Sequence, residues 1–189
     1  MTKRPAIIYL VPMGPCEMDD LTQMAESIQE QFEIEVRITE NQGPPDFALD
    51  PVRKQYNSNL ILKRLRRMRP PTALKLLAVT DLDLFMPIFS FVFGEAQFGG
   101  RCAVMSTFRL QGLPDGQVQR RCPPLLDRME KEAVHELGHT FGLKHCADPD
   151  CVMSYSKGVA CADRKFAVFC RACRDLMMWR QGKGPLPED

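Results

Sequence analysis

Apolar residues recur along this chain in two rhythms, one of strands and one of helices. Ala6–Val11 is an unbroken apolar run, as expected of a strand buried on both faces. Asp19–Phe32 places Leu21, Met24, Ile28 and Phe32 at helical spacing. Ile34–Ile38 alternates apolar and charged residues, as a strand with one wet face does. After the loop signal Gly43-Pro44-Pro45, a basic amphipathic helix is predicted from Val52 to Met68, closed by Pro70-Pro71. Leu74–Thr80 reads as a third strand. Two more strand-like runs, Phe91–Glu95 and Cys102–Phe108, flank Gly99-Gly100, a pair suited to a tight reversal.

Proline tolerates the first helical turn, where its missing N–H has no intrahelical partner, so Pro123-Pro124 opens a long helix. From Gly142 onward the pattern becomes irregular and rich in cysteine. Strand–helix alternation predicts an α+β fold: a twisted, mainly parallel sheet with right-handed crossovers and an antiparallel edge strand. The expected division is a sheet-and-helix part, 1–142, carrying the long helix, and a small irregular part, 143–189.

The length, 189 residues, suffices for a sizeable core without disulfides. A formal net charge of +1 excludes a bulk attraction to nucleic acid or to an anionic membrane. The basic run Lys63–Arg69 accordingly reads as a solvated helix face. The apolar N-terminal run is short and broken by Pro12 and Pro15, so a strand fits better than an export signal. A cytoplasmic location and a monomer are expected. Eight cysteines without an export signal, five of them between 146 and 173, favour metal ligation over disulfides. Cys16, Cys102 and Cys122 read as buried apolar residues.

The chemistry concentrates in His135-Glu136-Leu137-Gly138-His139-Thr140-Phe141-Gly142-Leu143-Lys144-His145, which takes up all three histidines of the chain. His135 and His139 lie four apart, so both imidazoles leave one helix face and can grip one ion. Glycine takes the left-handed conformation readily, so Gly142 ends the helix and turns the chain to return His145 as a third ligand. Three protein ligands leave a position open for water, the mark of a catalytic zinc. Zinc lowers the pKa of that water towards about 7, and Glu136 stands where it can take the proton.

Extended by Cys146, Cys151, Met153 and the later Cys170-x-x-Cys173, this pattern resembles the archaemetzincins of the metzincin clan of zinc peptidases. Val79–Phe85 and Phe91–Ala96 also resemble segments of that family. The resemblance implies a metzincin-like fold, peptide-bond hydrolysis, and Met153 as the methionine turn beneath the metal. It places Tyr155 where some metzincins carry a tyrosine near the zinc. It also implies a second, structural zinc on Cys146, Cys151, Cys170 and Cys173, making two zinc ions per chain. Cys161 replacing one ligand, or disulfides, remain alternatives at this point. The expected partner is a peptide or small protein, bound as an added strand on an edge formed by Phe91–Glu95 or Ala103–Thr107, with an ordinary hairpin as the plainer reading. Asp81 and Asp83 read as strand-end and loop-capping residues. The rival function is a non-catalytic zinc-binding interaction module on a peptidase-like fold.

Overall fold

The computed structural model of the chain describes residues 6–68, 70, 72–112 and 123–184. Strand β1 (Ile7–Pro12) leads into helix α1 (Met18–Phe32), which buries Leu21, Met24, Ile28 and Phe32, the residues that its periodicity singled out. Strand β2 (Glu35–Ile38) returns parallel to β1, with Ile8 opposite Val36.

The expected helix from Val52 begins six residues later. Asp50 Oδ1 accepts from the amides of Val52 and Arg53 at 2.9 and 3.0 Å, which makes a turn of residues that periodicity assigned to the helix. Lys54 then takes a positive φ of 54°, which no helix continues through. The short strands β3 (Leu49–Asp50) and β4 (Gln55–Asn57) pair antiparallel across that turn. Helix α2 (Ser58–Leu65) starts where the Asn57 side chain caps it, accepting from Asn59 N at 3.0 Å. Lys63, Arg64, Arg66 and Arg67 are exposed, so the basic run is a solvated face; Arg69 lies outside the described residues.

Strand β5 (Ala73–Thr80) pairs parallel with β1, and β6 (Leu84–Phe85) pairs parallel with β4. The strand expected at Phe91–Glu95 is displaced to β7 (Gly94–Ala96), because Val92 is drawn off to bridge Leu84. Strand β8 (Cys102–Ser106) is parallel to β5 and antiparallel to β7. The five-stranded sheet therefore runs β2-β1-β5-β8-β7, with its antiparallel strand on the edge.

Both faces of the sheet are covered. Leu77 and Val79 of β5 join α1 and the long helix α3 (Pro123–Thr140) in one core, while Leu76 and Ala78 pack with Ile61, Leu62 and Leu65 of α2 in the other. A strand buried on both sides reads as continuous hydrophobic sequence, as β5 does. After α3 come a short α4 (Val159–Ala162) and α5 (Arg171–Arg180). Within this otherwise irregular stretch, α5 sinks Met177 completely into the core shared with α1 and α3. Among the described residues no helix is long and apolar enough to cross a membrane.

Candidate active site and metal centres

Helix α3 delivers His135 and His139 one turn apart and then stops in a defined way. Gly142 lies at φ +85°, its amide bonds His139 O at 2.9 Å, and the amide of Leu143 reaches back to Gly138 O at 3.1 Å. This paired pattern is a Schellman ending, closed by a residue in the left-handed region. It swings the chain so that the His145 ring comes within 5.3 Å of His135 and 4.9 Å of His139, centroid to centroid. The three imidazoles thus converge as the spacing predicts, with ligand atoms all within 4.8 Å of one another.

Backbone carbonyls fix two of these rings. Nδ1 of His135 donates to Val152 O and Nδ1 of His139 to Leu143 O, each at 2.8 Å. A carbonyl can only accept, so the ring proton sits on Nδ1 and the Nε2 lone pair faces inward. The two Nε2 atoms stand 3.1 Å apart. Two lone pairs so close call for a cation between them. Burial pushes the pKa of His135 well down and that of His139 and His145 down, with the Lys165 ammonium acting in the same direction, so the rings are held neutral and ready to ligate.

Met153 is wholly buried, packed against α3 at Gly138, between His135 and His139. A Cβ at Gly138 would lie 2.5 Å from Met153 Sδ, so the methionine fits against the helix only because position 138 carries no side chain. The chain around it is pinned by Cys146 N to Met153 O at 3.0 Å and by Val152 N to Val168 O at 2.9 Å. Tyr155 is half exposed, its ring 5.0 Å from that of His145.

Glu136 is buried, and its Oε2 has no hydrogen-bond partner. Burial, then the charge and hydrogen bond of the Glu132 carboxyl, hold its pKa well above the usual carboxylate range, with Lys165 opposing and Glu95 adding to the rise. Strand β7 lies directly over it: a Cβ on Gly94 would meet Glu136 Cγ at 2.6 Å. The hydroxyl of Ser58, at the start of α2, donates to Glu95 on the same strand. The cleft bounded by β7 and α3 measures about 420 Å³, with Phe89, Phe91 and Tyr155 among its apolar walls and Glu95, Glu132 and Lys165 among its polar ones.

The β7–β8 reversal is fastened to the end of α3. Gly99 N donates to His139 O at 2.9 Å, and the buried Lys75 ammonium bridges Gly100 O and Thr140 O at 2.7 Å each, 4.3 Å above the Phe141 ring. Burial lowers the pKa of Lys75 to about 8, and Arg101 adds to the fall.

A second group of donors comprises Cys146, Cys151, Cys170 and Cys173, with sulfurs all within 4.8 Å of one another. Cys146 and Cys170 Sγ are 3.8 Å apart. A tetrahedral zinc with bonds of about 2.3 Å has edges of roughly that length, whereas a disulfide is about 2.05 Å. Burial raises Cys151 to about 11, since a thiolate crowded among thiols forms readily only beside a cation. Cys161 stands outside this group and accepts from Arg164 at 3.3 Å. Cys102 is buried as expected, and Cys16 is half-buried with its thiol 3.5 Å from Val79 O; Cys122 lies outside the described residues. Asp83 ties loops together through Arg109, at 2.8 and 2.6 Å, and Gln55, at 2.9 Å.

Sequence reading did not single out Glu132, Lys165, Gly138, Glu95 or Lys75. Only Gly138 left a signal, because a glycine inside a helix costs about 1 kcal/mol relative to alanine and needs a reason.

Comparison with known proteins agrees with this geometry. The description "Peptidase family M54" matches residues 34–178. The archaemetzincin of Archaeoglobus fulgidus is 39% identical over 166 residues, covering 88% of this chain and 95% of that protein. That of Haloquadratum walsbyi is 34% identical, covering 90% and 99%. The crystal structure of the Methanopyrus kandleri archaemetzincin superposes with a TM-score of 0.82 at 33% identity, covering 96% of this chain and 98% of that one. By fold, by donor sets and by these likenesses, the chain belongs to the archaemetzincins, zinc metallopeptidases of family M54.

Proposed function

We propose that this enzyme cuts peptides at one zinc held by His135, His139 and His145, with Glu136 as general base, and that a second zinc on Cys146, Cys151, Cys170 and Cys173 is structural. The observation that carries this reading is the pair of inward Nε2 lone pairs 3.1 Å apart beside a buried carboxylate whose Oε2 has no partner. Zinc bound there supplies Lewis acidity, polarising the scissile carbonyl and acidifying water. The rest is done by the chain itself. Glu136 accepts the proton of the attacking water and returns it to the departing amine.

Strand β7 offers its outer edge to an extended peptide, which would add as a further strand. Close packing of Gly94 on Glu136 brings that edge to the reacting carbonyl. The substrate is a peptide or a small protein. The described cysteines are all unpaired, which suits a reducing cytoplasm.

The test is digestion of an unbiased peptide library by the zinc-loaded enzyme and by Glu136→Gln. Cleavage should vanish in the variant while its zinc content is unchanged. Turnover by the variant at the parent rate removes Glu136 from the role of base. Failure of the parent to cut any peptide removes the hydrolytic reading as a whole.

A further inference from the structure

Beneath the histidines lies a charge that hydrolysis as described does not use. Lys165 is 2% exposed, one of the largest fully buried side chains of the protein. Its ammonium donates to Val152 O at 2.9 Å and to Ser154 O at 3.1 Å, the carbonyls on either side of Met153. It stands 3.4 Å from Nδ1 of His135, whose proton goes to the same Val152 O. Its charge faces two carboxyls on α3, Glu132 and Glu136. Glu132, 5% exposed and one helical turn before Glu136, hydrogen-bonds it directly.

An ammonium does not enter an interior without reason: desolvation costs several kcal/mol, and burial alone pushes Lys165 down from its ordinary range. Here two carbonyls hold it, and two carboxyls that line the same cleft oppose the fall by their charge. Removing any one member leaves a buried charge or a buried carbonyl short of a partner.

We propose that Lys165 and Glu132 are positioning residues for the hydrolytic step. Lys165 clamps the loop on both sides of Met153 to the catalytic helix. Glu132, balanced by the same ammonium, fixes the rotamer of Glu136 so that its carboxyl is held at the wall of the cleft. The proposal rests on Glu136 being the base, and it explains why the base is accompanied by a second carboxyl that is no metal donor in either group.

The experiment compares zinc-loaded parent, Lys165→Met, Glu132→Ala, Glu132→Gln and Glu136→Gln on one peptide that the parent cuts. Changes around the direct participants of metal sites commonly cost roughly 10- to 100-fold. Lys165→Met and Glu132→Ala should lower kcat by roughly that factor, with KM within about twofold and zinc content unchanged. Glu132→Gln keeps a hydrogen-bonding partner for Glu136 and should recover most of the loss seen with alanine. Independently of activity, amide exchange across residues 151–156 should quicken in Lys165→Met and not in the Glu132 variants.

Unchanged kcat in both Glu132→Ala and Lys165→Met, with normal exchange, overturns the proposal. Should Lys165→Met fail to fold, the Glu132 pair decides, since alanine and glutamine of equal kcat remove the hydrogen bond as the cause. Glu136→Gln separates the layers: activity surviving there dismisses the base itself, whereas activity lost there and intact in the other variants dismisses only the positioning.

Discussion

Gly138 and Gly94 set the spacing of the site by what they lack. Each faces an atom that a Cβ would overlap, Met153 Sδ at 2.5 Å and Glu136 Cγ at 2.6 Å. Gly138→Ala sets two effects against each other. Helix propensity favours alanine by about 1 kcal/mol, while overpacking a full core costs about 1–3 kcal/mol. The Met153 thioether can yield only slightly, because Phe169 also borders the position. The overlap wins, and Gly138→Ala should unfold at lower urea than the parent, with a net loss of up to about 2 kcal/mol. A rise in the midpoint would mean that Met153 moves aside freely. Histidine and cysteine announce themselves because their chemistry depends on spacing, whereas Lys165 and Glu132 look like any surface residue until the chain folds around them.

Among elements, the joint between the β7–β8 reversal and the end of α3 sets how β7 lies over Glu136 and the three histidines. Lys75 is its fastener. Its pKa falls to about 8 from 10.5, so the sign is that of a base made harder to protonate. Below pH 8 the ammonium is charged in both folded and unfolded chains, and the cost of burying the charge is carried in full. Between 8 and 10.5 the unfolded chain binds more protons, so this group's contribution to stability grows as pH rises, levelling off above. The difference in unfolding free energy between parent and Lys75→Met should therefore shift in the parent's favour from pH 7.5 to about 10. Its staying flat would place the amine outside that titration range. The mainly parallel sheet, its antiparallel edge and α1 were readable from periodicity. The start of α2 was not, because Asp50 and Lys54 build a turn inside an amphipathic stretch. Helix α5 escaped notice because only Met177 is fully buried on it, too faint a signal to display a period.

For the whole molecule, the segment beyond α3 shares one core with the sheet through Val152, Met153, Phe169 and Met177, and its four sulfurs converge beside that core. Denaturing the zinc-loaded protein in the presence of a chelating dye should release two zinc ions per chain, and Cys173→Ser one. A single ion from the parent would dissolve the second centre. Structural zinc in small domains contributes on the order of 10 kcal/mol to folding, so loss of the quartet should disorder this segment more than loss of His145 does. The two donor groups are neighbours in the most literal way, because His145 and Cys146 share a peptide bond. An oxidant that turned these thiols into disulfides would eject any ion held there and unseat His145 with it. Hydrolysis in this enzyme would then answer to the redox state of its surroundings, although no sulfur touches the substrate.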